Sequence, residues 1–125
     1  MGQRIHEPPC IVLIVEDEPL IRMMAEDMVM DAGLIPLCAA DAHQAIRILA
    51  DHDDVAILFT DVDLPGGFNG IELARRVHAS GLGLEIIITT GRGEPDESLL
   101  PKGAQFLPKP YSGADLLKAI YTAEC

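Results

Sequence analysis

Short, continuous apolar runs alternate along the chain with longer stretches in which apolar positions recur every three or four residues. The continuous runs are 10–15, 34–38, 55–60, 84–90 and 104–108. Runs of this kind are typical of strands that are covered on both faces, as in a parallel sheet. The alternation therefore predicts parallel strands that are joined by crossover helices.

The first helix is predicted to begin at Pro19 and to stop at Gly33, because proline suits the first helical position and glycine suits the position after a helix end. Its apolar residues have helical spacing and are expected to face the sheet. They are Leu20, Ile21, Met23, Met24 and Met28.

Polar capping signals mark the later helices. Two pairs have the spacing of a capping box: Asp41 with Gln44, and Asn69 with Glu72. A last helix is predicted to start around Ser112. The stretch 91–103 contains three glycines and two prolines, so it has room only for a short or irregular fourth helix.

These elements predict one α/β domain over residues 8–123, with a five-stranded parallel sheet and helices on both faces. The chain has 125 residues, of which 49% are hydrophobic, and this is enough for one continuous core. No stretch has the composition of a linker, so no separate output domain is expected.

Composition limits the partners and the location. Twenty acidic against nine basic residues give a net charge of -11, which predicts no direct binding to nucleic acid or to an anionic membrane. The apolar runs are too short to span a bilayer. Cys10, Cys38 and Cys125 lack paired spacing, which is typical of reduced thiols. We therefore expect a cytoplasmic protein.

Reactive side chains follow four of the five predicted strands. They are Glu16 and Asp17, Asp61 and Asp63, Thr89 and Thr90, and Lys109. The carboxyl ends of parallel strands meet at one edge of a sheet, so we expect these side chains to converge. Clustered carboxylates repel one another, and Mg²⁺ prefers such oxygen ligands. Together with a hydroxyl and an ammonium, the cluster indicates phosphoryl-transfer chemistry.

Four motifs resemble those of the receiver domain of two-component response regulators: "VEDEP", "TDVDLPGG", "ITTG" and "FLPKPYS", each at a predicted strand end. Each motif is weak alone, but their order is specific and the resemblance covers nearly the whole chain. It implies a flavodoxin-like (βα)5 fold with strand order 2-1-3-4-5. Between the fourth and fifth predicted strands, a short stretch rich in glycine and proline stands where a full fourth helix would be usual. In this feature the chain resembles the single-domain "TG" subset of alphaproteobacterial receivers.

The resemblance implies that Asp61 accepts a phosphoryl group from a phosphohistidine, on a sensor histidine kinase or a histidine phosphotransfer protein. It implies Mg²⁺ as the cofactor. Asp17 and Asp61 would bind the ion directly, Glu16 largely through water, and Asp63 through its backbone carbonyl.

Further roles are implied for residues of the last two strands. Thr90 would move inward to hydrogen-bond a phosphoryl oxygen, and Lys109 would pair with the phosphate, next to a peptide bond to Pro110 that is often cis. Phe106 occupies the aromatic position that changes rotamer on activation. The resemblance allows a homodimer and implies no enzymatic activity beyond self-phosphotransfer and slow dephosphorylation.

Two other functions stay open from the sequence. Asp61-Val62-Asp63 forms a DxD, which a haloacid-dehalogenase-like phosphatase would also use, although Pro65 and the third-strand position do not fit that family. A pseudo-receiver that binds a partner without phosphorylation is the other alternative.

The turn after Asp61 is one residue longer than the turn that is usual in receiver domains.

Overall fold

The computed structural model describes residues 9–123 of the chain. Its five strands are β1 Ile11–Val15, β2 Ile35–Ala39, β3 Val55–Asp61, β4 Glu85–Thr90 and β5 Gln105–Pro108. They form one parallel sheet in the order β2-β1-β3-β4-β5. The order 2-1-3-4-5 is therefore confirmed.

Four helices connect and follow the strands: α1 Pro19–Asp31, α2 Ala42–Asp51, α3 Gly70–Ala79 and α4 Gly113–Thr122. Helices α1 and α4 pack on one face of the sheet, and α2 and α3 pack on the other. Every residue of the central strand β3 is buried. Burial on both faces explains why its sequence is a continuous apolar run up to Asp61.

Capping interactions fix the start of α3, which directly follows the loop after β3. The Asn69 side chain accepts a hydrogen bond from the Glu72 amide at 2.9 Å, and the Glu72 side chain accepts one from the Asn69 amide at 3.2 Å. The predicted capping box is therefore confirmed. At α2, Asp41 accepts from the Gln44 amide, whereas Gln44 reaches the amide of Ala40.

The segment between β4 and β5 contains a single 3-10 turn, Glu97–Leu99, in place of a full helix. Gly93 and Gly103 flank it with φ angles of 84° and 87°, which lie outside the helical region. The predicted short fourth element is confirmed.

The prediction for the buried face of α1 was wrong in part. Leu20, Met23 and Met24 are exposed by 65%, 58% and 51%, whereas Ala25 and Val29 are buried. We attribute this to the small or branched side chains of Ala25 and Val29, which let the helix lie closely against the sheet. The apolar arc of α1 is wider than the stripe that the sheet covers, so part of it faces solvent.

The expectation of reduced cysteines does not hold for Cys10, which is disulfide-bonded. Sequence spacing gave no sign of this, because the three cysteines lie far apart along the chain. Cys38 is a free thiol whose burial, together with nearby Glu26, raises its pKa to about 11. Cys125 lies outside the described residues.

Among residues 9–123, no helix combines the length and the apolar character that crossing a membrane requires.

Candidate functional site

Three carboxylates meet at the carboxyl edge of the sheet. Glu16 directly follows β1, Asp61 is the last residue of β3, and both are only 4% exposed, whereas Asp17 is exposed beside them. One carboxylate oxygen from each residue lies within 4.8 Å of the others. The convergence follows from the topology, because β1 and β3 are neighbours and Val15 pairs with Thr60.

Lys109 bridges the two buried carboxylates. Its ammonium nitrogen lies 2.9 Å from Glu16 Oε1 and 3.1 Å from Asp61 Oδ2. The peptide bond between Lys109 and Pro110 is cis, as the resemblance implied. Burial lowers the pKa of Lys109, but the hydrogen bonds and charges of Glu16 and Asp61 outweigh that effect, and the pKa is raised. The lysine is therefore held as an ammonium ion.

One ammonium does not neutralise the acid cluster. Burial and the nearby charge of Glu16 raise the pKa of Asp61, and Lys109 and the Asp63 amide lower it without fully compensating. The ionised Asp61 is thus destabilised in this environment. A further cation close to the cluster would relieve the repulsion, which is the electrostatic condition for a divalent metal site.

Asp61→Asn is expected to raise the free energy of unfolding at neutral pH in metal-free buffer. Because the pKa of Asp61 is raised in the folded state, the folded protein binds this proton more tightly than the unfolded chain, and the ionised carboxylate costs stability above that pKa. In chemical denaturation, the advantage of the variant should be largest above the folded pKa and should shrink as the pH falls through it. Lys109 keeps Glu16 as a partner in the variant.

A matched control is Asp54→Asn, which removes the same formal charge from an exposed position. It should change the unfolding free energy only slightly. If Asp61→Asn were less stable than the wild type at neutral pH, the ionised Asp61 carboxylate would not be destabilising the folded state.

Thr90 and Asp63 lie next to the acid cluster. The Thr90 hydroxyl donates to Asp63 Oδ2 at 3.3 Å, and the Asp63 amide donates to Asp61 Oδ1 at 3.3 Å. The hydroxyl of Thr89 is buried and is without a hydrogen-bond partner among the described residues. Of the two threonine hydroxyls at the end of β4, the one of Thr90 contacts Asp63, whose amide in turn contacts Asp61.

Phe106 lies apart from the acid cluster. It is half-buried and lines a cavity of about 240 Å³ together with Leu100 and Ala104. This cavity is on the side of the 3-10 turn Glu97–Leu99, since Glu97 also lines it. The cavity therefore offers room for a change of rotamer at Phe106, the predicted switch residue.

Sequence reasoning missed two residues that position the acids. The guanidinium of Arg22, in the first part of α1, donates to the backbone carbonyl of Glu16, which precedes the helix, at 2.8 Å. A Cβ atom at Gly70 would lie 1.8 Å from the Asp61 carbonyl oxygen, so only glycine permits this approach. The available signal was a glycine directly after the capping Asn69, where most residues would start a helix more stably.

A second cavity, of about 420 Å³, opens beside Lys109. Its walls include Ile21, Met24 and Met28 of α1 and Tyr111 after β5. Tyr111 packs edge-on against Phe59, with ring centroids 5.5 Å apart, and burial with the nearby Glu16 raises its pKa to about 12. The acid cluster therefore borders an apolar surface to which α1 contributes Ile21, Met24 and Met28.

Fold and site together define the class of protein. Residues 12–121 match the response regulator receiver domain family, and the chain belongs to that family. It is thus a signalling domain of the two-component type, and the family match does not favour the dehalogenase alternative.

Particular relatives support the same assignment. The chain is 38% identical over 117 residues to the phosphate regulon transcriptional regulatory protein PhoB of Pseudomonas aeruginosa, which covers 87% of this chain and 50% of that protein. It is 30% identical over 109 residues to the two-component response regulator PhoP of the same organism, covering 84% of this chain and 47% of that protein. The chain spans about half the length of these curated relatives.

Solved structures show the same fold. A response regulator receiver domain protein from Clostridium thermocellum superimposes with a TM-score of 0.82 at 26% identity, covering 91% of this chain and 93% of that one. The predicted flavodoxin-like α/β architecture is therefore confirmed.

Proposed function

We propose that this domain is the phosphoacceptor switch of a two-component phosphorelay, in which Asp61 takes a phosphoryl group from a phosphohistidine. The observation that carries the proposal is the position of the Asp61 carboxylate. It is buried beside Glu16, adjoins the exposed Asp17 and lies 3.1 Å from the Lys109 ammonium. In the reaction, a carboxylate oxygen of Asp61 forms a P–O bond as the P–N bond of the phosphohistidine breaks.

The acid cluster fits Mg²⁺ as the cofactor. Three carboxylates with ligand atoms within 4.8 Å of one another supply the oxygen ligands that this ion prefers. We assign direct binding to Asp17 and Asp61, contact through water to Glu16, and the backbone carbonyl to Asp63. When bound, Mg²⁺ would neutralise charge on the phosphoryl oxygens.

Lys109 and Thr90 are the proposed partners of the phosphoryl group. The Lys109 ammonium already contacts Asp61 Oδ2, so a phosphoryl group on that side chain would remain within its reach. The Thr90 hydroxyl lies at the same edge and would donate to a phosphoryl oxygen after a change of position. Phe106 is proposed to change rotamer with Thr90, and the cavity next to it supports this role.

The proposed donor is a sensor histidine kinase or a histidine phosphotransfer protein that approaches over α1. Leu20, Met23 and Met24 expose an apolar surface on this helix, and Met24 also lines the cavity beside Lys109. A helical donor surface that covers these side chains would bring a phosphohistidine close to Asp61.

The remaining assignments are part of the same proposal. The receiver domain spans residues 8–123, and its location is the cytoplasm, where sensor kinases make the phosphohistidine from ATP. The net charge of -11 argues against direct contact with nucleic acid. A homodimer is an allowed state, and we propose no activity beyond self-phosphotransfer and slow dephosphorylation.

Acetyl phosphate or phosphoramidate with Mg²⁺ tests the proposal. The wild-type protein is expected to gain one phosphate that hydroxylamine removes, because acyl phosphates react with this nucleophile, and Asp61→Asn is expected to gain none. A dehalogenase-like enzyme would instead turn over added phosphate esters, and a pseudo-receiver would do neither. Either of those results would contradict the proposed function.

A further inference from the structure

The proton of the Thr90 hydroxyl is already engaged in this structure. A threonine hydroxyl has one proton to donate, and here it points to Asp63 Oδ2 at 3.3 Å. The hydroxyl oxygen of Thr90 itself accepts a hydrogen bond from the Arg92 amide at 3.1 Å. Thr90 can therefore donate to a phosphoryl oxygen only after its contact with Asp63 breaks.

Asp63 is held in this position from two sides. Its backbone amide donates to Asp61 Oδ1 at 3.3 Å, and its other carboxylate oxygen lies 3.6 Å from Arg92 Nε. The Asp63 and Arg92 side chains are 44% and 83% exposed, so their ion pair is weak. The hydrogen bond to Thr90 is also longer than a typical O–H···O contact. These weak contacts can favour one position of the Thr90 side chain, and a competing acceptor can replace them.

We propose that the Asp63 carboxylate is a positioning group that retains the Thr90 hydroxyl in the resting arrangement and so opposes the phosphorylated state. The inference rests on the proposed function, and it concerns the carboxylate of Asp63 rather than its backbone carbonyl. A phosphoryl group on Asp61 adds a competing acceptor for the Thr90 proton. Its negative charge also repels the nearby Asp63 carboxylate, which favours release of the hydroxyl.

The test measures the affinity of the protein for beryllium fluoride, a phosphoryl analogue, in the presence of Mg²⁺. Asp63→Ala should bind it about threefold more tightly than the wild type, because the resting contact no longer has to break. Asp63→Asn keeps an acceptor oxygen for Thr90 and should remain closer to the wild type. Asp54→Ala removes an exposed acid elsewhere and should bind like the wild type.

A double-mutant cycle separates this role from a general charge effect. In the Thr90→Ala background, the additional Asp63→Ala change should have a clearly smaller effect on affinity, because the hydroxyl that Asp63 retains is gone and only the repulsion between the analogue and the Asp63 carboxylate is relieved. Equal affinities of Asp63→Ala and wild type would overturn the inference. So would an effect of Asp63→Ala that is as large without Thr90 as with it, or equal gains from Asp63→Asn and Asp63→Ala. No binding to the wild type would overturn the proposed function as well.

Discussion

Gly70→Ala is expected to lower the free energy of unfolding by about 3 kcal/mol, since overpacking of a buried contact typically costs 1–3 kcal/mol or more. The added Cβ would lie 1.8 Å from the Asp61 carbonyl oxygen and 2.7 Å from its carbonyl carbon. Both are backbone atoms of the buried strand β3, which cannot move aside as a flexible side chain would. Denaturant titration of the two proteins measures this change directly.

The same substitution should displace Asp61 from its partners. The Gly70 amide donates to the Val62 carbonyl at 2.9 Å, so a shift of α3 would also move the chain that follows Asp61. We therefore expect the rate of phosphate uptake from acetyl phosphate to fall by about 100-fold, because small misplacements of reacting groups lower reaction rates by about this factor.

Gly113→Ala is a matched control for Gly70→Ala. Gly113 is likewise the first residue of a helix that follows a complete capping box, here formed by Ser112 and Asp115. A Cβ atom there would meet only Met28 Cγ at 3.8 Å, which is an ordinary contact. This variant should be as stable as the wild type or slightly more stable. Similar losses in both variants would show that the close approach to Asp61 is not the cause.

Lys109→Ala is expected to lower the unfolding free energy by about 2 kcal/mol in metal-free buffer, because it leaves two buried carboxylates without their ammonium partner. The ammonium lies within 3.1 Å of both Glu16 and Asp61, and its side chain is only 19% exposed. Added Mg²⁺ should recover much of this loss, since a bound cation stabilises the folded state in proportion to its affinity.

Lys109→Ala should nevertheless bind Mg²⁺ at least as well as the wild type, because the lost ammonium repels the ion. The initial rate of phosphate uptake should fall by about 100-fold, the effect of removing one donor that faces developing charge. Lys102→Ala, which changes an exposed lysine, is the control. A loss of Mg²⁺ affinity comparable to that of Asp17→Ala would contradict the assignment of Lys109 to the phosphate.

The sheet and the acids at its edge were predictable because their signals are local. A continuous apolar run that ends in an aspartate predicted β3, and the structure has Val55–Asp61 as a fully buried strand. The parallel order then places Glu16, Asp61 and Lys109 at the same edge, since each lies at the carboxyl end of a strand of this sheet. The capping pair Asn69 and Glu72 likewise depends only on neighbouring residues.

Features that depend on distances across the fold were not predictable. The apolar positions of α1 cover a wide arc, and only packing against the sheet decides that Ala25 faces inward and Met24 outward. The approach of Gly70 to Asp61 and the contact of Thr90 with Asp63 join residues from different elements. Local propensity carries no information about such contacts, which arise only when the chain is assembled.

Mapping the phosphorylated residue tests the central claim most directly. Protein treated with acetyl phosphate and Mg²⁺ is reduced with borohydride, which converts an aspartyl phosphate to homoserine, and its peptides are sequenced by mass spectrometry. We expect homoserine at position 61 and unmodified aspartate at positions 17 and 63. Homoserine at another acidic position, or none in a protein that still binds Mg²⁺, would contradict the assignment of Asp61 as the phosphoacceptor.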